Sequence, residues 1–175
     1  GGKGRQVNAF DFEYSFSRIL DPEVASPGFW IFNKLEKGNT DHPLGFKAIN
    51  DSTFRIWLSE SFPPFLGILT MPYCSVIPNE LEDNPHIDIS SEPVGTGPFS
   101  FKLWRRDEKL ILVKNPHYFE KDKEGVRLPY LEGVAISFIK DKQSEFMEFL
   151  MGNIDFLSGL HAAYKDELTT RSGNL

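Results

Sequence analysis

The stretch from Pro93 to Tyr118 constrains the fold of this chain more than any other. It begins Pro-Val-Gly-Thr-Gly-Pro-Phe, and its two glycines predict a sharp turn or a backbone conformation that a side chain would block. From Phe99 onward apolar and polar residues alternate, as in a half-buried strand. A polar turn at residues 105–108 separates this run from a nearly continuous apolar run at residues 110–113. The pattern predicts a β-hairpin with at least one well-buried strand.

A helix is predicted near the start of the sequence. Asn8 is its N-cap candidate, and Asp11, three residues on, has the position of the second half of a capping box. Asp21 precedes a proline and ends the helix. Helical spacing assigns four residues to its buried face: Phe12, Phe16, Ile19 and Leu20.

Short elements are predicted between this helix and the hairpin. Residues 46–50 and 53–59 have the pattern of two strands joined by a tight turn. Residues 61–66 open a short helix with proline at its start, and residues 75–78 form an extended segment. The apolar face of the short helix is predicted to consist of Leu66, Leu69 and Tyr73.

Another strand and a second long helix are predicted after the hairpin. The strand covers residues 134–139, and the helix begins at its N-cap Asp141 and ends before Gly152. Asp155 lies between apolar residues and is expected to be partly buried, and residues 160–171 begin a further helix. The buried stripe of the helix after Asp141 is predicted to comprise Phe146, Phe149 and Leu150.

Composition limits the class of protein. The chain has 175 residues, of which 40% are hydrophobic and 16 are Phe, so it can build one domain with a real core. A net charge of −6 argues against nucleic acid as a partner, since nucleic acid favours a basic surface. No window approaches the roughly 18 apolar residues of a membrane span. The single cysteine, Cys74, lies in an apolar stretch and is predicted to be a buried thiol.

Patterns for catalysis, metals and cofactors are missing from the sequence. Its histidines are not spaced three to five residues apart and no cysteine pair accompanies them, so no metal site is predicted. Gly95-Thr96-Gly97 precedes a strand rather than a helix, which is the wrong order for a phosphate-binding loop. The acidic residues 80–92 are expected to form a surface loop. No catalytic residue and no cofactor is therefore predicted. The four histidines are His42, His86, His117 and His161.

The order of these pieces resembles the extracytoplasmic solute-binding proteins of the peptide/nickel class, family 5, which serve ABC importers. The resemblance is carried by the Pro-Val-Gly-Thr-Gly-Pro-Phe run, a strand ending at Trp104, a polar turn, an apolar strand and Asn-Pro-His-Tyr at residues 115–118. A Pro-Phe-Leu helix and a Ser-Val-Ile-Pro segment also follow in the family's order, and residues 154–157 resemble a further family strand. Matches in the first helix are Ala9, Asp11, Tyr14, Ser15, Arg18, Asp21 and Pro22.

The resemblance implies an α/β fold, a mixed sheet with flanking helices, that is part of the first lobe of a two-lobed periplasmic binding protein. Residues 1–175 are then expected to be one partial domain, without the first strands of that lobe and without the second lobe. The implied function is capture of an oligopeptide or related small solute in the periplasm or at the cell surface, and its delivery to an ABC permease in the membrane. Neither catalysis nor a cofactor is implied. Membrane association is expected only through a possible upstream lipid anchor.

The resemblance also indicates candidate ligand-binding residues. In peptide-binding relatives an aromatic residue just after Ser-Pro faces the ligand cleft, but here that position is Gly28. The aromatic residues fall at Phe29 and Trp30, which are therefore candidates, with packing in the core beside Phe32 as their alternative role. Thr96 is the third candidate, and its alternative role is to anchor the backbone of a structural turn.

Two other functions stay open on the sequence. The same fold can serve as a surface lipoprotein, chaperone or signalling receptor without transport, which a neighbouring permease gene and an upstream lipobox cysteine would distinguish. An enzyme acting on oligosaccharides or peptides is the other, and turnover of a substrate panel would detect it. The sequence leaves the solute open between a peptide, a nickel chelate and a sugar.

Overall fold

The computed structural model describes residues 4–81, 93–159 and 164. Short 3-10 helices lie at Phe29–Phe32, Pro72–Cys74 and Asn79–Leu81. No helix among the described residues has both the length and the apolar character needed to span a membrane. The helices are α1 (Ala9–Leu20), α2 (Phe65–Ile68) and α3 (Lys142–Leu150), and the strands are β1 (Phe46–Asn50), β2 (Thr53–Ile56), β3 (Phe99–Arg105), β4 (Lys109–Lys114) and β5 (Gly133–Ser137).

The strands form two sheets, and the chain forms two compact units. Strands β1 and β2 pair in one sheet, and the other has the order β3-β4-β5. The first unit comprises the described residues up to Phe101 together with Leu112–Gly133. The second comprises Lys102–Ile111 and the described residues from Val134 onward.

The core of the first unit is built from phenylalanine rings between α1 and the β1–β2 sheet. Phe16 of α1 has its ring centroid 5.1 Å from that of Phe32, 6.0 Å from that of Phe46 and 5.5 Å from that of Phe54. The predicted burial of Phe16 and Ile19 is confirmed, whereas that of Phe12 is wrong, because its ring packs over Phe54 at the margin of the core. The buried cluster comprises Phe16, Ile19, Ile31, Phe32, Phe46, Phe65 and Cys74.

Cys74 confirms the prediction of a buried thiol. It belongs to the phenylalanine-rich core and forms no disulfide. Burial raises the pKa of this thiol, because the apolar surroundings disfavour the charged thiolate. Cys74 is therefore a packing residue rather than a nucleophile.

The predicted capping box at the start of α1 is confirmed. The side chain of Asn8 accepts hydrogen bonds from the backbone N–H groups of Phe10 and Asp11. Asp11 in turn accepts the backbone N–H of Asn8 at 2.9 Å. Asp21 ends the helix in extended conformation, as its place before proline predicts.

Strand β2 is shorter than predicted. The pairs Phe46–Ile56 and Ala48–Phe54 fix the antiparallel register with β1. Beyond Ile56 the backbone N–H of Trp57 donates to Gly45, and Leu58 bridges to Leu35. The segment after Ile56 thus pairs with the loop before β1, which sequence periodicity cannot indicate.

The apolar face predicted for the short helix is confirmed for Leu69 and wrong for Leu66 and Tyr73. Leu66 is 77% exposed, whereas Phe65 is buried and Ile68 and Leu69 pack against the core. Residues 65, 68 and 69 lie on one face of a helix that begins at Phe65, and Leu66 is turned about 100° away from that face. Tyr73 is exposed as well and does not belong to the core.

The predicted hairpin is confirmed, but two expectations about it are wrong. Every residue of β4 is half-buried rather than buried, and since alternate residues point to opposite faces, neither face is fully covered by described residues. A Cβ added at Gly95 or Gly97 meets no described atom within 4 Å, and neither residue has a positive φ, so this run does not require glycine. The left-handed residue of the hairpin is Asp107, with φ 58°, in the turn between β3 and β4.

In the second unit the start of α3 is confirmed. Asp141 accepts the backbone N–H of Ser144 at 2.8 Å. Phe146 is buried and stacks on Tyr164 with ring centroids 4.4 Å apart, but Leu150 is exposed and Phe149 only half-buried. Gly152 follows the helix with φ 74°, as its predicted role requires.

The strand expected at residues 154–157 is absent. None of the described strands pairs with this segment. An unpaired strand would leave its backbone N–H and C=O groups without hydrogen bonds. Asp155 is consequently exposed, which contradicts its expected burial. Of the acidic loop predicted at residues 80–92, the first two residues end the 3-10 helix Asn79–Leu81 and the others lie outside the described residues. The helix predicted at residues 160–171, apart from Tyr164, lies outside them as well.

Candidate functional site

The candidate site surrounds Gly28 in the first unit. The backbone N–H of Gly28 donates to the hydroxyl of Ser26 at 3.2 Å, and its carbonyl accepts the N–H of Ile31 at 3.0 Å. The 3-10 turn that follows buries Phe32 but leaves Phe29 53% and Trp30 46% exposed. Core packing is therefore right for Phe32 and wrong for the two candidate ligand-binding residues, which are neighbours in the chain and are both exposed.

Tyr73 occupies the space above Gly28. A Cβ added at Gly28 would lie 2.7 Å from the Tyr73 Cβ and 2.9 Å from its Cγ. Gly28 has φ −83°, so the close approach of Tyr73, rather than backbone strain, requires a glycine. An aromatic ring from a distant segment thus covers the position at which the family resemblance led us to expect one. Nothing in the sequence pairs Gly28 with Tyr73.

A small open pocket of about 140 Å³ lies beside Tyr73. Pockets that enclose whole ligands measure about 300–1,000 Å³, so this open pocket suits a single functional group or a short side chain of a larger solute. Its walls come from α1, from the loop after α1 and from the segment that starts at Tyr73. They are lined by Ser15, Arg18, Ile19, Val24, Ser26, Tyr73, Ser75 and Ile77.

Ser15 ties two of these walls together. Its hydroxyl lies 2.7 Å from the Asp11 carbonyl, to which it donates, and accepts the backbone N–H of Ile77 at 2.9 Å. Ser15 is buried, so both bonds are shielded from water. The extended segment after Tyr73 is thereby fixed against α1.

Thr96 is exposed, and Asn115 performs the anchoring role considered for it. The side chain of Asn115 donates to the carbonyl of Gly97 at 2.9 Å, and its backbone N–H donates to the carbonyl of Pro98 at 2.9 Å. Asn115 is buried, so the Asn-Pro-His-Tyr run holds the approach to β3 in place. Phe29 and Trp30 are exposed side by side in the chain, and no hydrogen bond between described residues links Thr96 to them.

The ring of the buried His42 packs against another ring and lies next to a side-chain amide. Its ring stacks on Trp57 with centroids 4.0 Å apart, and its Nε2 lies 2.8 Å from the Asn39 amide nitrogen. Within residues 4–81, 93–159 and 164, no three His, Cys, Asp or Glu side chains are grouped to hold a metal ion. His117 is exposed, and His86 and His161 lie outside the described residues.

The contact between Gly28 and Tyr73 predicts that Gly28→Ala is destabilising. The added methyl group meets the first atoms of the Tyr73 side chain, which cannot move without the backbone, so we expect a loss of about 1–3 kcal/mol in the free energy of unfolding. Chemical denaturation measures it. Gly67→Ala is the matched control, because a Cβ there meets no described atom within 4 Å and α2 should gain up to about 1 kcal/mol. Equal stability of the two variants would contradict the contact.

The family model described as "Bacterial extracellular solute-binding proteins, family 5 Middle" matches residues 3–174. The periplasmic oligopeptide-binding protein OppA of Salmonella typhimurium is 33% identical over 165 residues, which is 87% of this chain and 29% of that protein.

Solved structures of periplasmic binding proteins are similar to this chain as well. The periplasmic binding protein DppA of Helicobacter pylori, in complex with the peptide STSA, superposes with a TM-score of 0.78 at 29% identity, over 95% of this chain and 33% of that one. The substrate-binding domain of an oligopeptide ABC transporter from Bacillus anthracis has a TM-score of 0.76 at 26% identity, over 94% and 32%. The predicted α/β fold class is confirmed. This chain spans about a third of the length of these relatives.

Proposed function

Because the chain belongs to the bacterial extracellular solute-binding proteins of family 5, we propose that the protein captures a peptide-like solute outside the cytoplasm and delivers it to an ABC permease. The observation that carries this proposal is the similarity to a protein named as oligopeptide-binding and to a periplasmic binding protein solved with a bound peptide. No residue pattern argues for catalysis, and the proposed function makes and breaks no bond. Any attachment to the membrane is proposed to come through a lipid anchor upstream.

Residues 1–175 are proposed to be one partial domain, within the first lobe of a two-lobed protein. The lengths of the solved proteins support this, because those proteins are about three times as long as this chain. The second lobe would then supply the opposite wall of the ligand cleft. Capture would proceed by hinge closure, in which a solute that touches both lobes stabilises the closed state by its differential affinity.

Phe29 and Trp30 are proposed to contact the solute from this lobe. Their exposure supports the role, since large aromatic rings left half in water offer apolar area and a flat surface to a ligand side chain. Thr96 is proposed as a polar contact from the run before β3, where its hydroxyl is accessible.

Native mass spectrometry of the full-length protein as purified tests the proposal. We expect an additional mass that fits a short peptide and that leaves on mild unfolding.

Phe29→Ala should weaken peptide binding by about tenfold, as expected for the loss of an aromatic contact worth about 1–1.5 kcal/mol. Phe156→Ala, at an 82% exposed ring of the second unit, is the matched control and should bind normally.

Two results would contradict the proposal. A protein that is free of ligand and stays unshifted in a mixture of peptides would favour another solute or a receptor that uses the same fold without transport. Turnover of an oligosaccharide or peptide substrate by the full-length protein would indicate an enzyme.

A further inference from the structure

We propose that the pocket beside Tyr73 binds a carboxylate group of the solute, with the guanidinium of Arg18 as its charged partner. This inference rests on the proposed function in that it takes the solute to be peptide-like. A peptide offers a carboxylate at its C-terminus and on acidic side chains, and the pocket has room for one such group.

Arg18 has no ionic partner among the described residues. Its side chain is half-buried, and its contacts there are with Tyr14, whose hydroxyl lies 3.5 Å away and whose ring centroid lies 5.8 Å from the guanidinium carbon. No salt bridge between described residues includes it, although the chain carries a net charge of −6. A guanidinium with unused donors at the wall of a pocket favours an anion there.

Three further polar side chains of the pocket, those of Ser26, Tyr73 and Ser75, have hydrogen-bond donors without an acceptor among the described residues, whereas Ser15 already donates to Asp11. The hydroxyl oxygen of Ser26 already accepts the N–H of Gly28, so its hydrogen is left to donate. The hydroxyls of Tyr73 and Ser75 make no hydrogen bond to another described residue. Among the residues that the structure describes, no Asp or Glu lines the pocket. Since an ionised carboxylate only accepts hydrogen bonds, it complements this set, whereas a cation would face Arg18.

The apolar part of the wall fits the same group. Ile19 is buried and Val24 is exposed, and both line the pocket with Arg18. They can contact the carbon atoms next to a carboxylate while the charged donors hold its oxygens.

Arg18 has one competing role, because it lies in the last turn of α1 and a cation there interacts favourably with the helix dipole.

Binding of matched peptides to the full-length protein separates these roles. The probes are trialanine, its C-terminal amide, and the amide of Ala-Glu-Ala, each titrated calorimetrically into the wild type and Arg18→Gln. We expect Arg18→Gln to weaken at least one carboxylate-bearing peptide by about tenfold to a hundredfold, the range for a lost charged hydrogen bond, and to leave the trialanine amide unchanged. Arg55→Gln is the control, since Arg55 is exposed and lies over the Trp57 ring instead.

The outcomes distinguish the source of the carboxylate. A loss confined to free-acid trialanine indicates the C-terminus, and a loss confined to the Ala-Glu-Ala amide indicates an acidic side chain. Where the peptides bind the wild type, equal loss for all three, or no loss for any, would overturn the proposal. Equal loss with lower thermal stability would assign Arg18 to the helix end.

A second measurement keeps this inference separate from the proposed function. Sodium acetate, compared with sodium chloride at the same ionic strength, should raise the melting temperature of the wild type by more than that of Arg18→Gln, since general salt effects act on both proteins alike. If no peptide binds and acetate still acts through Arg18, the peptide proposal fails and the carboxylate pocket stands. If peptides bind with no dependence on Arg18 and acetate has no effect, the pocket fails and peptide capture stands.

Discussion

Phe46→Ala should lower the free energy of unfolding by about 3–5 kcal/mol, a large part of the stability of an ordinary domain. Phe46 is 1% exposed and lies on β1 in the middle of the core. Its ring centroid is 6.0 Å from that of Phe16, 5.8 Å from that of Phe32 and 5.8 Å from that of Phe54. The alanine variant loses the transfer free energy of the ring and leaves a cavity that three other rings cannot readily fill.

The measurement is chemical denaturation followed by circular dichroism. Phe156→Ala makes the same chemical change at a ring that is 82% exposed, so it should alter stability by less than about 0.5 kcal/mol. If the two variants lose similar stability, the core does not lie between α1 and the β1–β2 sheet.

Asp11→Asn should cost about 2 kcal/mol, the value of hydrogen bonds to a charged group. The carboxylate is 1% exposed, and its two oxygens accept hydrogen bonds of 2.6 and 2.7 Å from the Arg5 guanidinium. Asparagine keeps the shape and one oxygen for the N–H of Asn8 but removes the charge. The loss should stay below the 3–5 kcal/mol of a fully buried ion pair, because Arg5 remains partly in water and also binds Asn79 and Glu80.

The cost of Asp11→Asn should depend on pH. The hydrogen bonds from Arg5 lower the pKa of the Asp11 carboxyl below its ordinary value, and burial only partly opposes this. A carboxyl with a lowered folded pKa contributes stability above its unfolded pKa of about 4, and that stability is lost as the pH falls through the folded pKa. The difference between wild type and variant should therefore be full at pH 7 and shrink below about pH 4.

Denaturation at several pH values measures this difference. Asp107→Asn is the matched control, because Asp107 is exposed in the hairpin turn and asparagine suits its left-handed backbone. A constant difference between wild type and Asp11→Asn from pH 7 to pH 3 would show that the Asp11 charge contributes nothing to stability.

Local patterns predicted the elements whose causes are local. The capping box at Asn8, the cap of α3 at Asp141 and the hairpin each follow from residues within a few positions of one another. The order of those elements also carried the resemblance to the family, which the matches over residues 3–174 then established. Burial was predicted less well, as Phe12 and Leu66 show, because exposure depends on which neighbour covers a face.

The α/β class, the family, the start of α1 and α3 and the buried thiol of Cys74 could all be predicted from the order of the residues. The contacts of Arg5 with Asp11 and of Tyr73 with Gly28, and the place of Arg18 in a pocket rich in hydrogen-bond donors, became known from the folded chain. This division follows the distance along the chain over which each interaction acts. Hydrogen bonds in caps and turns join neighbours in the chain, whereas side-chain packing and pockets join residues that only the folded backbone brings within contact distance.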